Sequence, residues 1–219
     1  MARSPAADLA PHDGAHASLP TDAVAVVFNG CIYNHREIRR ELESLGVRFS
    51  SRHSDTETLV QGWAMWGEEL LPRLDGMFAF AVFDRRRARL TLVRDRAGEK
   101  PLYFAHTTSE SSACFAFAST PPAALAALAN DQTPIIEPAA LARWLAFGFG
   151  PDLPIAGLRE LPPASLLRLD LHQTLTPSLV RWWEPAPRES STSTPDTRAM
   201  IEHAVAHRLD ADVPLGCFL

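Results

Sequence analysis

The sequence predicts an α+β fold, in which strands and helices are clustered along the chain. Of its 219 residues, 46% are hydrophobic and 21% are charged, as expected for a globular protein that buries a sizeable core. One strand and two helices are predicted first, and from Met77 onward strand-forming segments dominate. The strict alternation of strands and helices that a doubly wound parallel sheet requires is absent, which favours the α+β class.

Local sequence patterns place the individual elements. The apolar run at residues 23–28 predicts a buried strand that stops at the turn-favouring pair Asn29-Gly30. Asn34 and Glu37 have the spacing of a capping box at the start of a helix. Further helices are predicted from Ser54 and at 123–129, 138–147 and 195–209, and further strands at 77–83, 89–94, 102–105, 114–118, 166–169 and 175–182.

Composition divides the chain into four segments. Residues 1–22 have no apolar periodicity and are predicted to be a disordered leader. Residues 23–184 contain most of the predicted elements and form one domain. The Pro-, Ser- and Thr-rich residues 185–195 predict a linker. Residues 196–219 are expected to begin a second domain with a helix and the start of a strand.

Charge and cysteine content exclude several functions. A net charge of −5 leaves no phosphate-neutralising surface, so neither nucleic acid nor a membrane is expected as a partner. No segment approaches the roughly 20 apolar residues that are needed to span a bilayer. Cys31, Cys114 and Cys217 are an odd number without metal-ligand spacing. We therefore expect no disulfide framework, no metal site and a cytoplasmic location.

Five motifs carry a resemblance to one enzyme family. They are F-N-G-C-I-Y-N-H at 28–35, S-D-T-E at 54–57, L-D-G-M-F-A-F-A at 74–81, R-D-R-A-G-E-K-P-L-Y at 94–103 and D-V-P-L-G at 212–216. In this order they resemble the glutaminase domain of glutamine-hydrolysing asparagine synthetases. The resemblance implies a class II glutamine amidotransferase domain of the N-terminal-nucleophile type, which is a partial αββα sandwich. It also implies that the first helix and strand start of an α/β synthetase domain follow.

The resemblance implies roles for four residues. In the family, glutamine is hydrolysed and its ammonia passes to a second domain that activates aspartate with ATP and Mg²⁺. Asn29 and Gly30 match the donors of the oxyanion hole, which stabilise the charge that develops on the amide oxygen. Asp55 matches the acid that binds the α-amino group of glutamine, and Cys31 stands where the family has a substrate-binding glutamate. Taken alone, Asn29-Gly30 also suits a tight turn, and Asp55 also suits a helix N-terminus.

The charged residues of the fourth motif are interpreted as structural. Asp95, Arg96 and Lys100 lie close together in sequence and carry opposite charges. We predict that they form an ion-pair network and take no part in chemistry.

Both ends of the chain depart from the family pattern. Ala2 occupies the position of the family's nucleophilic cysteine, so no catalytic residue is assigned. Cys31 as a replacement nucleophile has no α-amine to act as its base, and His35 is expected to face solvent or to cap a helix. Leu219 lies at the edge of the expected ATP-binding loop. We expect the chain to be inactive alone and to hold no cofactor, since ATP and Mg²⁺ belong to the complete family enzyme.

Three functions remain open at this point. The chain is interpreted first as part of an asparagine synthetase, truncated at both ends. This interpretation implies L-glutamine as the ligand, a synthetase domain as the partner and a homodimer in the complete enzyme. A second hypothesis is a nucleophile-free scaffold domain that resembles that of β-lactam synthetases. The third is a non-catalytic module that binds glutamine or another protein.

Overall fold

The computed structural model describes residues 24–108, 113–128, 134–148, 153–172, 176–185, 196–209, 214 and 216. In the described part, two antiparallel sheets are packed between helices, which confirms the predicted α+β sandwich. The elements are β1 (Val24–Ile32), α1 (His35–Ser44), α2 (Asp55–Trp66), a 3₁₀ helix (Gly67–Arg73), β2 (Gly76–Asp84), β3 (Arg89–Arg94), β4 (Tyr103–Thr108), β5 (Ala113–Ala118), α3 (Pro121–Ala127), α4 (Pro138–Phe147), β6 (Leu158–Glu160), β7 (Ser165–Asp170), β8 (Ser178–Arg181) and α5 (Thr197–Ala206).

Strand β2 shows how the larger sheet is covered on both faces. The sheet has five strands in the order β1-β2-β3-β7-β8. Side chains alternate between the two faces of a strand. Phe78 and Phe80 pack in the core beneath α1 and α2, whereas Ala79 and Ala81 pack in the core between the two sheets. The near-continuous apolar run of the motif at 74–81 therefore results from burial of β2 on both faces.

Helices α1 and α2 cover one face of the five-stranded sheet. Ile38 and Leu42 of α1 and Leu59 and Trp63 of α2 are buried in one cluster with the aromatic residues of β2. The Trp63 and Phe80 rings meet edge to face, with their centroids 5.9 Å apart, which is a favoured aromatic geometry. This packing fixes the start of α2 close to the end of β1.

Among the described residues, the smaller sheet covers only the middle of the larger one. It has three strands in the order β5-β4-β6, and α3 packs on its outer face. Val27 of β1 lies opposite Ala81, and Leu179 of β8 lies opposite Leu167, so both face the space between the sheets. Yet Val27 is 59% exposed and Leu179 is 54% exposed. The two edge strands of the larger sheet therefore overhang the smaller sheet.

The structure differs from the sequence-based predictions at β1 and β6, and it adds the 3₁₀ helix, which no pattern predicted. Asn29 and Gly30 do not form a turn, because β1 continues to Ile32 and pairs with β2 along its whole length. Strand β6 lies in the Pro- and Gly-rich passage where no strand was expected, and it pairs with β4 through only three residue pairs. So short a strand has too little alternation to stand out in the sequence.

Several predictions concern residues outside the described part. These are the leader at 1–22, almost all of the linker at 185–195, and Cys217 and Leu219. The predicted helix at 195–209 is present as α5, and Asp196 caps it by accepting hydrogen bonds from the backbone N–H groups of Arg198 and Ala199. Among the described residues, none of the helices combines the length and the apolar character that crossing a membrane requires.

Candidate functional site

The end of β1 and the start of α2 meet at one carboxylate. The backbone N–H of Ile32 donates a hydrogen bond to Oδ2 of Asp55, with a distance of 3.2 Å between nitrogen and oxygen. Ile32 is buried, whereas Asp55 is only partly buried. This hydrogen bond places Asp55 at the end of β1, which contains Asn29, Gly30 and Cys31, although 23 residues separate Ile32 from Asp55.

Asn29 and Cys31 lie on the overhanging part of the sheet. In the register of β1 and β2, Asn29 is opposite Ala79 and Cys31 is opposite Met77. Directly opposite residues of an antiparallel pair share a face, and Ala79 faces the space between the sheets. Asn29 is therefore exposed on the face that the smaller sheet leaves uncovered, and Cys31 is partly buried beside it.

The backbone at Gly30 requires glycine for two reasons. Its φ is +150°, a conformation that residues with a Cβ rarely adopt. A Cβ there would also lie 2.1 Å from the carbonyl oxygen of Met77, and one on Gly76 would lie 2.3 Å from that of Cys31. Strands β1 and β2 thus approach closely on both sides of the Cys31–Met77 pair. Sequence reasoning assigned Gly30 but missed Gly76, because only the strand register shows that Gly76 lies against the backbone of Cys31 and Ile32.

Glu57 fixes the loop that precedes α2. Ser54 caps the helix by accepting a hydrogen bond from the backbone N–H of Glu57, at 3.1 Å. The buried carboxylate of Glu57 accepts hydrogen bonds from the backbone N–H groups of Ser50 and Ser51, at 2.6 and 2.8 Å, and from the Ser51 hydroxyl. Burial raises the pKa of Glu57, but these hydrogen bonds outweigh it, and together with the nearby charge of Arg39 they lower the pKa below 4.5.

We expect Glu57 to make the stability of the protein pH-dependent below about pH 4.5. Because its pKa is lower in the folded than in the unfolded chain, its stabilising effect is complete above pH 4.5 and is lost as the pH falls through the folded-state pKa. Urea unfolding at a series of pH values, for wild type and for Glu57→Gln, measures this effect. The variant is expected to show a smaller loss of stability across this window, and equal losses would contradict the assignment.

The beginning of α1 is tied to the loop before β2. Asn34 precedes the helix but makes no capping hydrogen bond, so the predicted capping box is wrong. Its side-chain amide nitrogen instead donates to the carbonyl oxygen of Arg73 at 2.8 Å, and its amide oxygen accepts from the backbone N–H of Asp75 at 2.9 Å. This long-range bridge engages both the nitrogen and the oxygen of the amide and directs the side chain away from the helix N-terminus.

His35 is part of the protein interior. It is 9% exposed, and its Nδ1 lies 2.9 Å from the carbonyl oxygen of Ile32. The prediction that His35 faces solvent or caps a helix is therefore wrong. The ring holds the turn between β1 and α1, and it supports the backbone that presents Ile32 to Asp55. Burial and this contact give His35 a structural role, and we assign it no role as a base for Cys31.

Asp95 organises the loop that follows β3. Its side chain is 1% exposed and accepts hydrogen bonds from four backbone N–H groups, those of Phe78, Ala97, Glu99 and Lys100, at 3.0–3.1 Å. The predicted ion-pair network of Asp95, Arg96 and Lys100 is thus replaced by backbone contacts. The guanidinium of Arg96 likewise donates to the carbonyl oxygens of Leu74 and Pro72. All these contacts are structural.

Leu219, at the edge of the expected ATP-binding loop, lies outside the described residues. Within the described ranges, no group of three or more His, Cys, Asp or Glu side chains is arranged to hold a metal ion. Two cavities in the described part, of about 650 and 380 Å³, are lined by residues other than Asn29, Cys31 and Asp55. Asn29, on β1, is exposed, and Asp55, at the start of α2, is partly buried.

Comparison with known structures identifies the fold. The chain is similar to a glutamine phosphoribosylpyrophosphate amidotransferase from Bacillus subtilis, whose structure was solved with ADP and GMP. The TM-score is 0.52 at 18% sequence identity, and the match covers 77% of this chain and 31% of that chain. The fold is thus that of the N-terminal-nucleophile glutamine amidotransferases, as the sequence resemblance implied.

Comparison of sequences identifies the family. Residues 9–183 match the family model of the glutamine amidotransferase domain, and the chain belongs to that family. It is 33% identical over 211 residues to asparagine synthetase (glutamine-hydrolysing) 3 of Bacillus subtilis, covering 90% of this chain and 32% of that relative. It is 31% identical over 207 residues to a putative asparagine synthetase of Mycobacterium tuberculosis, covering 90% and 31%. The chain thus spans about a third of the length of these relatives.

Proposed function

We propose that this chain binds glutamine as the amidotransferase part of an asparagine synthetase-type protein. The hydrogen bond between Ile32 and Asp55 carries this proposal, because it joins the two halves of a glutamine site. Asp55 offers a carboxylate for the α-ammonium group of the amino acid. Asn29 and Gly30 offer a side-chain amide and a backbone N–H for the oxygen of the side-chain amide.

We also propose that a polypeptide of the printed sequence does not hydrolyse glutamine. Hydrolysis of glutamine by the family's chemistry needs a thiol and a base of suitable pKa. Ala2 has no thiol, and Cys31 is a mid-chain residue whose amide nitrogen cannot accept a proton. We expect a polypeptide of the printed sequence to bind glutamine without releasing ammonia. Asparagine synthesis with ATP and Mg²⁺, a homodimer and a cytoplasmic location are proposed only for a longer protein that contains this domain.

The scaffold hypothesis has one observation in its favour. The candidate site is open, since Asn29 is exposed and Val27 beside it is 59% exposed. A site that recognises a small amino acid is usually concave and encloses most of its ligand. A domain that retains this fold only as a support for a synthetase would have the same open face. Glutamine titration distinguishes the two hypotheses.

We expect Asp55→Asn to weaken glutamine binding by roughly tenfold or more, because an amide cannot form an ion pair with the α-ammonium group. Isothermal titration calorimetry of the full chain with L-glutamine measures the affinity, and an ammonia assay on the same samples measures hydrolysis. Glu37→Gln is the matched control, since Glu37 also lies in the first turn of a helix but is exposed on α1.

The outcomes separate the hypotheses. Binding that is weakened in Asp55→Asn and unchanged in Glu37→Gln supports the glutamine site. Absence of binding to the folded wild-type chain up to the millimolar range contradicts it and favours the scaffold. Circular dichroism melting of each variant shows that the fold is retained, which matters because Asp55 also accepts the Ile32 hydrogen bond.

A further inference from the structure

The larger sheet overhangs the smaller one at a second edge, and a cavity lies there. It has a volume of about 650 Å³, within the range of roughly 300–1,000 Å³ that is typical of small-molecule sites. Its lining includes residues of β4 and β6 from the smaller sheet, of β7 and β8 from the larger sheet, and of α4. It is therefore at the opposite side of the sandwich from β1 and shares no residue with the candidate glutamine site.

The walls of this cavity are mostly apolar and are held by backbone pairing. Phe104 lines it from the smaller sheet, and Leu167 and Leu179, which are opposite each other in register, line it from the larger sheet. Ile155 closes it from the side and forms a bridge with Ile136 just before α4. This bridge ties the segment before α4 to the wall of the cavity.

Three potential cationic groups line the same space. Arg159 lies opposite Phe104 in the pairing of β4 with β6, and His106 is two residues beyond Phe104 on the same strand, so all three share one face. Arg143 lines the cavity from α4, and Glu137 lines it from the position just before that helix. Glu160 also lines it, but its carboxylate is paired with Arg94 at 2.8 Å. Arg159 can thus offer a planar, bidentate donor to an anion.

We infer that this cavity binds a small carboxylic acid with an apolar body. The carboxylate is held by the guanidinium of Arg159, with His106 close to it, because that pairing is geometrically matched and strong at a partly enclosed site. The apolar body lies against Leu179, which is 54% exposed, and removes its surface from water, with the buried Phe104 and Leu167 behind it. This site is independent of the proposed glutamine site, so the failure of one proposal leaves the other intact.

Calorimetric titration of the full chain with sodium octanoate, and separately with octylamine, tests the inference. Saturable binding of octanoate and no binding of octylamine are expected, since the two probes share an apolar chain and differ in charge. Arg159→Gln is expected to weaken octanoate binding by roughly tenfold or more. Leu179→Ser is expected to weaken it severalfold, because Leu179 covers the apolar chain of the ligand.

Two matched variants serve as controls. Arg181→Gln changes an exposed arginine of β8 that does not line the cavity, and Leu171→Ser changes a leucine that is 41% exposed after β7. Neither is expected to alter octanoate binding. Because Arg159 and Leu179 are themselves exposed, their variants are expected to melt like wild type. Absence of saturable octanoate binding below the millimolar range, equal affinity for octylamine, or equal affinity in Arg159→Gln would each overturn the inference.

Discussion

Asp95→Ala is expected to lower the free energy of unfolding by about 2 kcal/mol or more, because a buried donor left without a partner costs about 1–3 kcal/mol. The substitution removes the acceptor of four backbone N–H groups, of which that of Phe78 is in a buried hydrogen bond and the other three are in partly buried ones. A loss of this size is a large part of the total stability of a domain, which is usually about 5–15 kcal/mol. Urea unfolding followed by circular dichroism measures it.

Two further substitutions calibrate the Asp95 result. Asp95→Asn keeps the shape but replaces one acceptor oxygen with a donor, so an intermediate loss is expected. Asp170→Asn affects a carboxylate at the end of β7 that accepts one exposed hydrogen bond, from the backbone N–H of His172. It is expected to change stability by no more than about 0.5 kcal/mol. An Asp95→Ala protein as stable as Asp170→Asn would show that the carboxylate does not organise its loop.

Gly30→Ala is expected to cost about 3 kcal/mol or more of stability. Backbone strain at a φ of +150° accounts for roughly 1–3 kcal/mol, and overlap of the new Cβ with the Met77 carbonyl oxygen adds to it. The overlapping atoms belong to the backbone of β2, so they can move only if the two strands separate. Thermal and urea unfolding of the variant measure the loss, and glutamine titration of any folded protein measures the effect on the proposed oxyanion donors.

Gly46→Ala separates strain from overlap. Gly46 follows α1 with a φ of +89°, and a Cβ there would have no atom within 4 Å. Its loss is expected to reflect strain alone, about 1–2 kcal/mol. If Gly30→Ala were no more destabilising than Gly46→Ala, the close approach of β1 and β2 would be contradicted.

The sequence predicts most of the regular elements because their patterns are local. The spacing of Ser54 and Glu57 correctly predicts where α2 begins, and the apolar runs of β2 and β3 predict two neighbouring strands. The boundaries of α4 also agree with the prediction at 138–147. In these segments, helix caps and side-chain periodicity are decided by residues within a few positions of each other.

The sequence does not predict features that depend on distant partners. Asn34 bonds to residues 39 and 41 positions away, so the local capping pattern is overridden. The need for glycine at Gly76 and the burial of His35 arise only from the pairing of β1 with β2 and from the turn after it. The cavity near Arg159 depends on which strands lie at the sheet edges. Its residues are spread from Phe104 to Leu179, and no local pattern joins them.

The unequal width of the two sheets has a consequence for how the protein can change. Between β1 and β8 there are four inter-strand spacings of about 4.8 Å, so the two overhangs are about 19 Å apart. Substitutions at such distances usually have additive energetic effects. A substitution that changes ligand binding at one overhang therefore leaves the free energy of binding at the other unchanged. The covered strands between the overhangs support both. In a sandwich of this shape, two binding specificities can evolve separately within one small domain.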